Sequence, residues 1–324
     1  MAAWLARRLA ASIGIVIAVV TLTFIVVHLA PGSPCRGSSD RPIDPDVIAR
    51  CETRHCLDCP LPVQYARYVA AVARGDLGDS YLQRRPVTAA LADAIPPTLL
   101  LVGAALAIDF LLGVAIGAYQ AFRRNRWADV ALTQTTLFLY SVPTFWLGLG
   151  LLLVLAVWLG WFPAGGWRDP SLGPSTPWPL RAMDVLWHLT LPATTLGLVA
   201  AAGTARYQRA ALLEVLSQDF VRTARAKGLA ERRVVLHHAL RNALLPLITL
   251  LGLSLPFLLT GAVLIESVFS WPGMGRLAAQ AVAARDYPVI TAAAIIAGIM
   301  VAVGNLLADL LYAAADPRIR LRAS

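Results

Sequence analysis

From Leu9 to Ala30 the chain runs without an aspartate, glutamate, lysine or arginine, and comparable apolar runs recur along its length. A helix needs about 20 mostly apolar residues to cross the ~30 Å hydrocarbon core of a bilayer. This pattern constrains the fold more than any motif does. Six runs qualify: Leu9 to Ala30, Pro97 to Phe122, Val130 to Leu159, a weaker one from His188 to Thr204, Leu244 to Ile265, and Val289 to Tyr312. Composition agrees, with 58% hydrophobic and 15% charged residues and a mean hydropathy of +0.65; about a quarter of an ordinary soluble domain is charged. The expected fold class is all-α, a polytopic membrane protein with six transmembrane helices. The first run exceeds the about 7–15 apolar residues of a secretory signal, so it reads as a retained anchor.

Arginine placement sets the expected orientation. Arg7 and Arg8 precede the first run, and Arg123, Arg124 and Arg126 fill the loop between the second and third. A basic stretch lies between the fourth and fifth, and Arg318, Arg320 and Arg322 follow the sixth. The alternate loops are closer to charge balance. Basic loops stay in the cytoplasm, which predicts both termini inside (N-in, C-in). The net charge of +9 and pI near 9.9 are read as this bias and not as a sign of nucleic acid.

The expected organisation is a first transmembrane helix (1–30), an extracytoplasmic loop (31–96) and a core of five transmembrane helices (97–324). That core includes a cytoplasmic segment over 214–246. Cys35, Cys51, Cys56 and Cys59 all fall in the outer loop. An even number in an oxidising compartment reads first as two disulfides; free thiols and a metal or iron–sulfur site are the alternatives, the latter because Cys51, Cys56 and Cys59 have partly cluster-like spacing. No metal site is expected.

No HExxH, GxSxG or GxxxxGK[ST] motif is present. The phosphate-binding loop is excluded because the single lysine, Lys227, follows an alanine. Charged groups within the runs are few: Asp109 and Asp309, with Glu266 at the outer end of the fifth. Acids there mark function by default. Asn305 lies one turn before Asp309, so a hydrogen bond between helices competes with ion chemistry. Asp109 fits either a translocation path or a subunit contact. An ion-coupled secondary transporter would use such acids, and a membrane-embedded enzyme would need converging ligands, whereas the five histidines are scattered.

The stretch DFVRTARAKGLAERRVVLHHALRNALLPLIT, Asp219 to Thr249, interrupts this apolar chain with six basic residues. Ser217 is expected to cap a short helix, and Asp219 in the first turn suits its positive dipole end. Gly228 falls where a left-handed C-terminal cap belongs, followed by apolar Leu229. A second helix from about Ala230 carries Arg232 and Arg233, with Val234, Val235, Leu236 and Leu240 for packing, and Pro246 marks the entry to the next run. A basic loop lying on anionic lipid is the plainer reading. It gives no reason for a glycine stop or for the Arg241–Asn242 pair.

RTARAKGL followed by HxxRNALLPxIT resembles the signature loop of permeases of binding-protein-dependent ABC importers, and specifically their dipeptide/oligopeptide/nickel branch. LPVQY (61–65), GDLG (75–78), RPV (85–87), PxFWLG (143–148), GWFPAGG (160–166) and HLTLPATTL (188–196) extend the likeness. ESVFSWPGMG (266–275), ARDYP (284–288) and DPRIR (316–320) carry it to the C-terminus. The Glu-Ala-Ala of the general motif is here Arg222-Thr223-Ala224, and the cysteine-bearing segment departs from relatives.

The resemblance implies a type I ABC importer permease fold in a bacterial inner membrane, with the basic stretch as a coupling helix seated on a separate ATPase. Ala224 and Gly228 would permit close approach, Arg222, Arg225 and Lys227 would meet polar groups of that subunit, and Arg241, Asn242 and Pro246 would fix the second helix. The chain would not be an enzyme and would bind no cofactor, with ATP and magnesium on two cytoplasmic ATPase subunits. A second, related permease and an extracytoplasmic solute-binding protein would complete the assembly. Peptides are the expected cargo, with nickel complexes, glutathione or another small solute as alternatives.

Overall fold

The computed structural model describes residues 2–29, 59–173, 175–244, 246–247 and 262–315, with backbone alone at 2–5, 9, 27 and 307–315. Cys35, Cys51 and Cys56 lie outside these residues. Among the described residues the regular structure is helical, with one antiparallel bridge between Asp79 and Pro86.

Helix α1 spans Ala2–Leu29, α2 Leu61–Ala73 and α3 Val87–Phe122. A tight turn leads to α4, Trp127–Ser141, and then to α5, Thr144–Leu151 continued by a π-helical stretch Leu152–Trp158. Helix α6 spans Trp178–Leu216 and α7 Asp219–Ala226. Helix α8 is built from Glu231–Arg233, a π-helical stretch Val234–Ala239 and Leu240–Ala243. After a helical stretch at 262–268 come α9, Met274–Ala284, and α10, Tyr287–Ala315.

Four helices (α1, α3, α6 and α10) are long and apolar enough to cross a membrane, or five crossings if α4 and α5 form one. The run expected over Leu244 to Ile265 falls largely outside the described residues. The run over Val130 to Leu159 is not one straight helix: α4 and α5 meet at 102°. The residue before a proline is pushed out of the α region. Val142 is accordingly extended, with ψ 129°, and Pro143 starts the new helix at φ −55°. Helices α3 and α6 begin well before the apolar runs that predicted them. At 1.5 Å per residue the 36 residues of α3 reach about 54 Å.

The chain divides into two compact units, one of Pro97–Pro272 with the stretch from Gly304, the other of Ala2–Pro96 with Gly273–Val303. In the first, Leu101, Val102 and Ala105 of α3 pack with Leu189, Leu191 and Leu196 of α6 and with Ala262, Ile265, Phe269 and Trp271. The helices touch closely along this seam. A Cβ at Gly117 would sit 2.4 Å from the carbonyl oxygen of Ala205, so only glycine fits there. The Trp271 Nε1–H donates to the Pro97 carbonyl at 2.9 Å, and Thr98 Oγ1 donates to Glu266 at 2.6 Å.

In the second unit, Val87, Ala90, Leu91 and Ala94 pack against Met274 and Leu277 of α9 and Val289, Ala292 and Ala293 of α10. Helices α1 and α2 are joined by a Thr21–Tyr65 hydrogen bond of 2.7 Å and by His28 against Gln64 at 2.9 Å. Large apolar side chains stay uncovered on the outer faces, with Leu111 and Trp158 each 70% exposed. Water would disfavour such faces and lipid would not.

Candidate functional site

The basic stretch folds as a helix–turn–helix projection on the end of α6. Helix α7 is amphipathic over two turns: Val221 and Ala224 are buried, while Arg222, Thr223 and Arg225 face out. Val221 and Ala224 join Ala121 of α3, Leu212 and Val215 of α6, and Val234, Val235, Ala239 and Ala243 of α8 in one apolar cluster. That cluster seats the projection on the ends of the two longest helices.

Two expected details differ. Ser217 does not cap α7; its hydroxyl donates back to the Glu214 carbonyl at 2.7 Å, closing α6, and Gln218 occupies the N-cap position with extended geometry. Leu236 is 60% exposed and does not pack, because the π-helical stretch turns Val234, Val235 and Ala239 inward instead.

The turn at Gly228 follows from its backbone. Gly228 has φ +76°, its N–H donates to Arg225 O at 2.9 Å, and Leu229 N–H donates to Ala224 O at 3.4 Å. Paired bonds of this kind define the Schellman cap, with the residue after glycine packing back on the helix; Leu229 does so against the cluster. A Cβ at Gly228 would meet nothing within 4 Å, so conformation and not space demands glycine. Ala224 is turned into the chain's own cluster.

A second tie braces the turn. Arg225 donates from Nε and Nη2 to both oxygens of Glu231, at 3.0 and 2.6 Å. These bonds hold the Glu231 carboxyl below its ordinary range and raise the guanidinium of Arg225. Sequence reasoning missed the pair; the signal was an arginine and a glutamate flanking the glycine. Arg222 makes only a long contact of 3.4 Å to Asp219. Lys227, Arg241 and Pro246 are exposed, and Asn242 donates to the His238 carbonyl at 2.9 Å. The outward face of the projection is thus basic.

A family model described as "binding-protein-dependent transport system inner membrane component" matches residues 113–321, and the corresponding N-terminal model matches residues 1–102. The chain belongs to this family. It is therefore a permease subunit of an ABC importer, a multi-pass inner-membrane protein and a transport component, not an enzyme. Such a permease works with ATPase subunits. It is 39% identical over 320 residues to the oligopeptide transport system permease protein AppB of Bacillus subtilis, covering 98% of this chain and 99% of that protein. It is 41% identical over 317 residues to the glutathione transport system permease protein GsiC of Pectobacterium atrosepticum, covering 98% of each. In fold it is similar to a solved structure of the MetNI methionine ABC transporter in an inward-facing conformation. The TM-score is 0.55 at 20% identity, over 70% of this chain and 96% of that one.

The remaining permease residues singled out from sequence are dispersed. Asp109 is buried on α3 beside Thr204 of α6, and its Oδ1 is without a hydrogen-bond partner among the described residues. Glu266 is fully buried at the Thr98 contact. Asn305 is half-buried on α10, and the Asp309 side chain lies outside the description. Cys59 is disulfide-bonded. Among the described residues no group of three or more His, Cys, Asp or Glu could hold a metal. Two polar ties went unforeseen. Arg209 of α6 grips Asp129 at the start of α4 through bonds of 2.9 and 2.8 Å. In the second unit, buried Asp286 accepts from Ser80 Oγ at 2.5 Å and from Leu82 N–H at 3.1 Å.

Proposed function

We propose that this permease forms half of the membrane pathway for uptake of di- or oligopeptides delivered by an extracytoplasmic binding protein. The observation that carries the reading is the α7–Gly228–α8 projection: a braced, basic, outward face on a buried apolar seat, the form expected of a part that fits a cleft on another subunit. It rests on the ends of α3 and α6, so a push on it is transmitted to two long helices. The chain crosses the membrane six times with both termini in the cytoplasm, and the 31–96 region faces outside. Its partners are a second, related permease, two ATPase subunits that hold ATP and magnesium, and the binding protein. Arg222, Arg225, Lys227 and Gly228 meet the ATPase, while Arg241, Asn242 and Pro246 support α8 behind them. Asp109 and Glu266 brace the helices between which the pathway opens. The relative named for oligopeptide transport supports the cargo; the one named for glutathione transport, itself a tripeptide, supports a second reading within the same class.

The test is uptake by the complete complex in proteoliposomes, with a labelled tripeptide and labelled glutathione in parallel. ATP-dependent accumulation of the tripeptide is expected, and preference for glutathione selects the second reading. A stable, transport-competent homodimer lacking any ATPase would falsify the importer assignment.

A further inference from the structure

Helix α3 ends in a turn, Arg123–Arg126, whose shape is fixed from within. Asn125 is left-handed at φ +60°, and its N–H donates to Asp129 Oδ2 at 3.0 Å. Asp129 is in turn held by both nitrogens of Arg209. The carboxylate nearest in sequence is therefore already neutralised, and the turn presents Arg123 and Arg126 in a settled backbone. Two adjoining cavities, of about 350 and 410 Å³, share these arginines as walls. Tyr119 and Trp127 line the larger, and Phe122 and the Arg225–Glu231 pair line the smaller. Among the described residues lining them the one acid is Glu231, and Arg225 already satisfies it.

We propose that the Arg123–Arg126 turn binds the phosphate of an anionic phospholipid. Guanidinium groups favour a phosphate through paired N–H donors. The net positive charge of both cavities selects an anionic over a zwitterionic headgroup. The rim decides for lipid over a soluble anion. Trp127 is 83% exposed, Tyr119 46% and Phe122 43%, all at the end of a long apolar helix where amphipathic rings settle at the bilayer surface. The 15-residue α4 adds its positive dipole end to the same place. A headgroup in the smaller cavity lies against the Arg225–Glu231 brace, so anionic lipid stiffens the projection that meets the ATPase. The proposal rests on the reading that this end of α3 is cytoplasmic.

The complete transporter in nanodiscs is exposed to photoactivatable phosphatidylglycerol or phosphatidylcholine, and the labelled peptides are mapped by mass spectrometry. Labelling over residues 119–128 should favour phosphatidylglycerol. It should fall roughly tenfold or more in the Arg123→Gln/Arg126→Gln double variant, since each surface arginine adds about 1 kcal/mol of attraction to anionic lipid. The Arg123→Lys/Arg126→Lys variant should keep most of it, which shows that loss in the glutamine variant is not misfolding. Equal labelling by both lipids, or no fall in the glutamine variant, overturns the site. Loss of the ATPase subunits from the glutamine variant in pure phosphatidylcholine also overturns it, by giving these arginines to a protein partner. Wild-type discs that label as expected but show no ATP-driven uptake support the lipid site and count against the importer reading alone.

Discussion

Two turns in this permease are tied by a carboxylate, and they are tied differently. At Gly228 the link is Arg225–Glu231, bidentate, with both side chains nearly half exposed to solvent. In the loop after α2 the link is Asp286, which is 1% exposed and collects Ser80 Oγ and the Leu82 N–H. An exposed ion pair is screened and contributes about 0.2–1 kcal/mol. A buried carboxylate holding two donors cannot let go without leaving polar groups dry, at about 1–3 kcal/mol each. One turn is braced so that a partner can still adjust it; the other is locked.

The comparison breaks most visibly at Asp286. Asp286→Ala strands Ser80 and Leu82, and roughly 3 kcal/mol or more should be lost from the second unit. Limited proteolysis in detergent should then cut between residues 79 and 86 much faster, whereas Asp286→Asn, which keeps an acceptor, should show a smaller increase. Unchanged cleavage in the alanine variant would mean that the Asp79–Pro86 bridge alone holds the loop.

At Gly228 the expected effect is intermediate. A residue with a Cβ costs about 1–2 kcal/mol in the left-handed region, and a β-branched one more. Gly228→Asn should therefore be milder than Gly228→Val, since asparagine tolerates that conformation. Hydrogen exchange of amides 227–231 should speed up in that order. Transport per ATP hydrolysed should fall with it while the protein still inserts, and wild-type transport in Gly228→Val would sink the coupling role.

Glu231→Gln should give the smallest change, within about 1 kcal/mol and shrinking at high salt. Its pH dependence follows from the lowered pKa of Glu231. The tie is fully present above the ordinary glutamate value of about 4.3 and is lost as pH falls through the depressed folded value. Wild type and variant should thus differ in thermal stability near neutrality and converge in strong acid. A difference that persists there would point to packing by Glu231.

Local chemistry was legible in the sequence where one residue type has one physical use. Gly228 announced its left-handed turn, and the apolar runs announced α1, α3, α6 and α10. Hydropathy could not show the bend in the third run, because both halves are equally apolar; Pro143, with Val142 before it, was the only mark. Ser217 was a plausible cap by type, yet α6 runs on to Leu216 and takes its hydroxyl. Leu236 was counted as packing on a 3.6-residue period that α8 does not keep. Asp129–Arg209 and Ser80–Asp286 join residues 80 and 206 positions apart, and no spacing rule reaches that far.

The wide stretch Val234–Ala239 in α8 bears on how this segment tolerates insertions and deletions. A π turn accommodates one residue more than an α turn. Removing a single residue there could be absorbed by reverting to the narrower helix, without breaking the backbone. The helix would survive, but everything after the deletion would rotate by about 100°. Ala239 and Ala243 would leave the apolar seat and larger neighbours would take their places. In this part of the chain, then, length is a phase setting: gain or loss of one residue redirects a whole face while leaving the secondary structure intact.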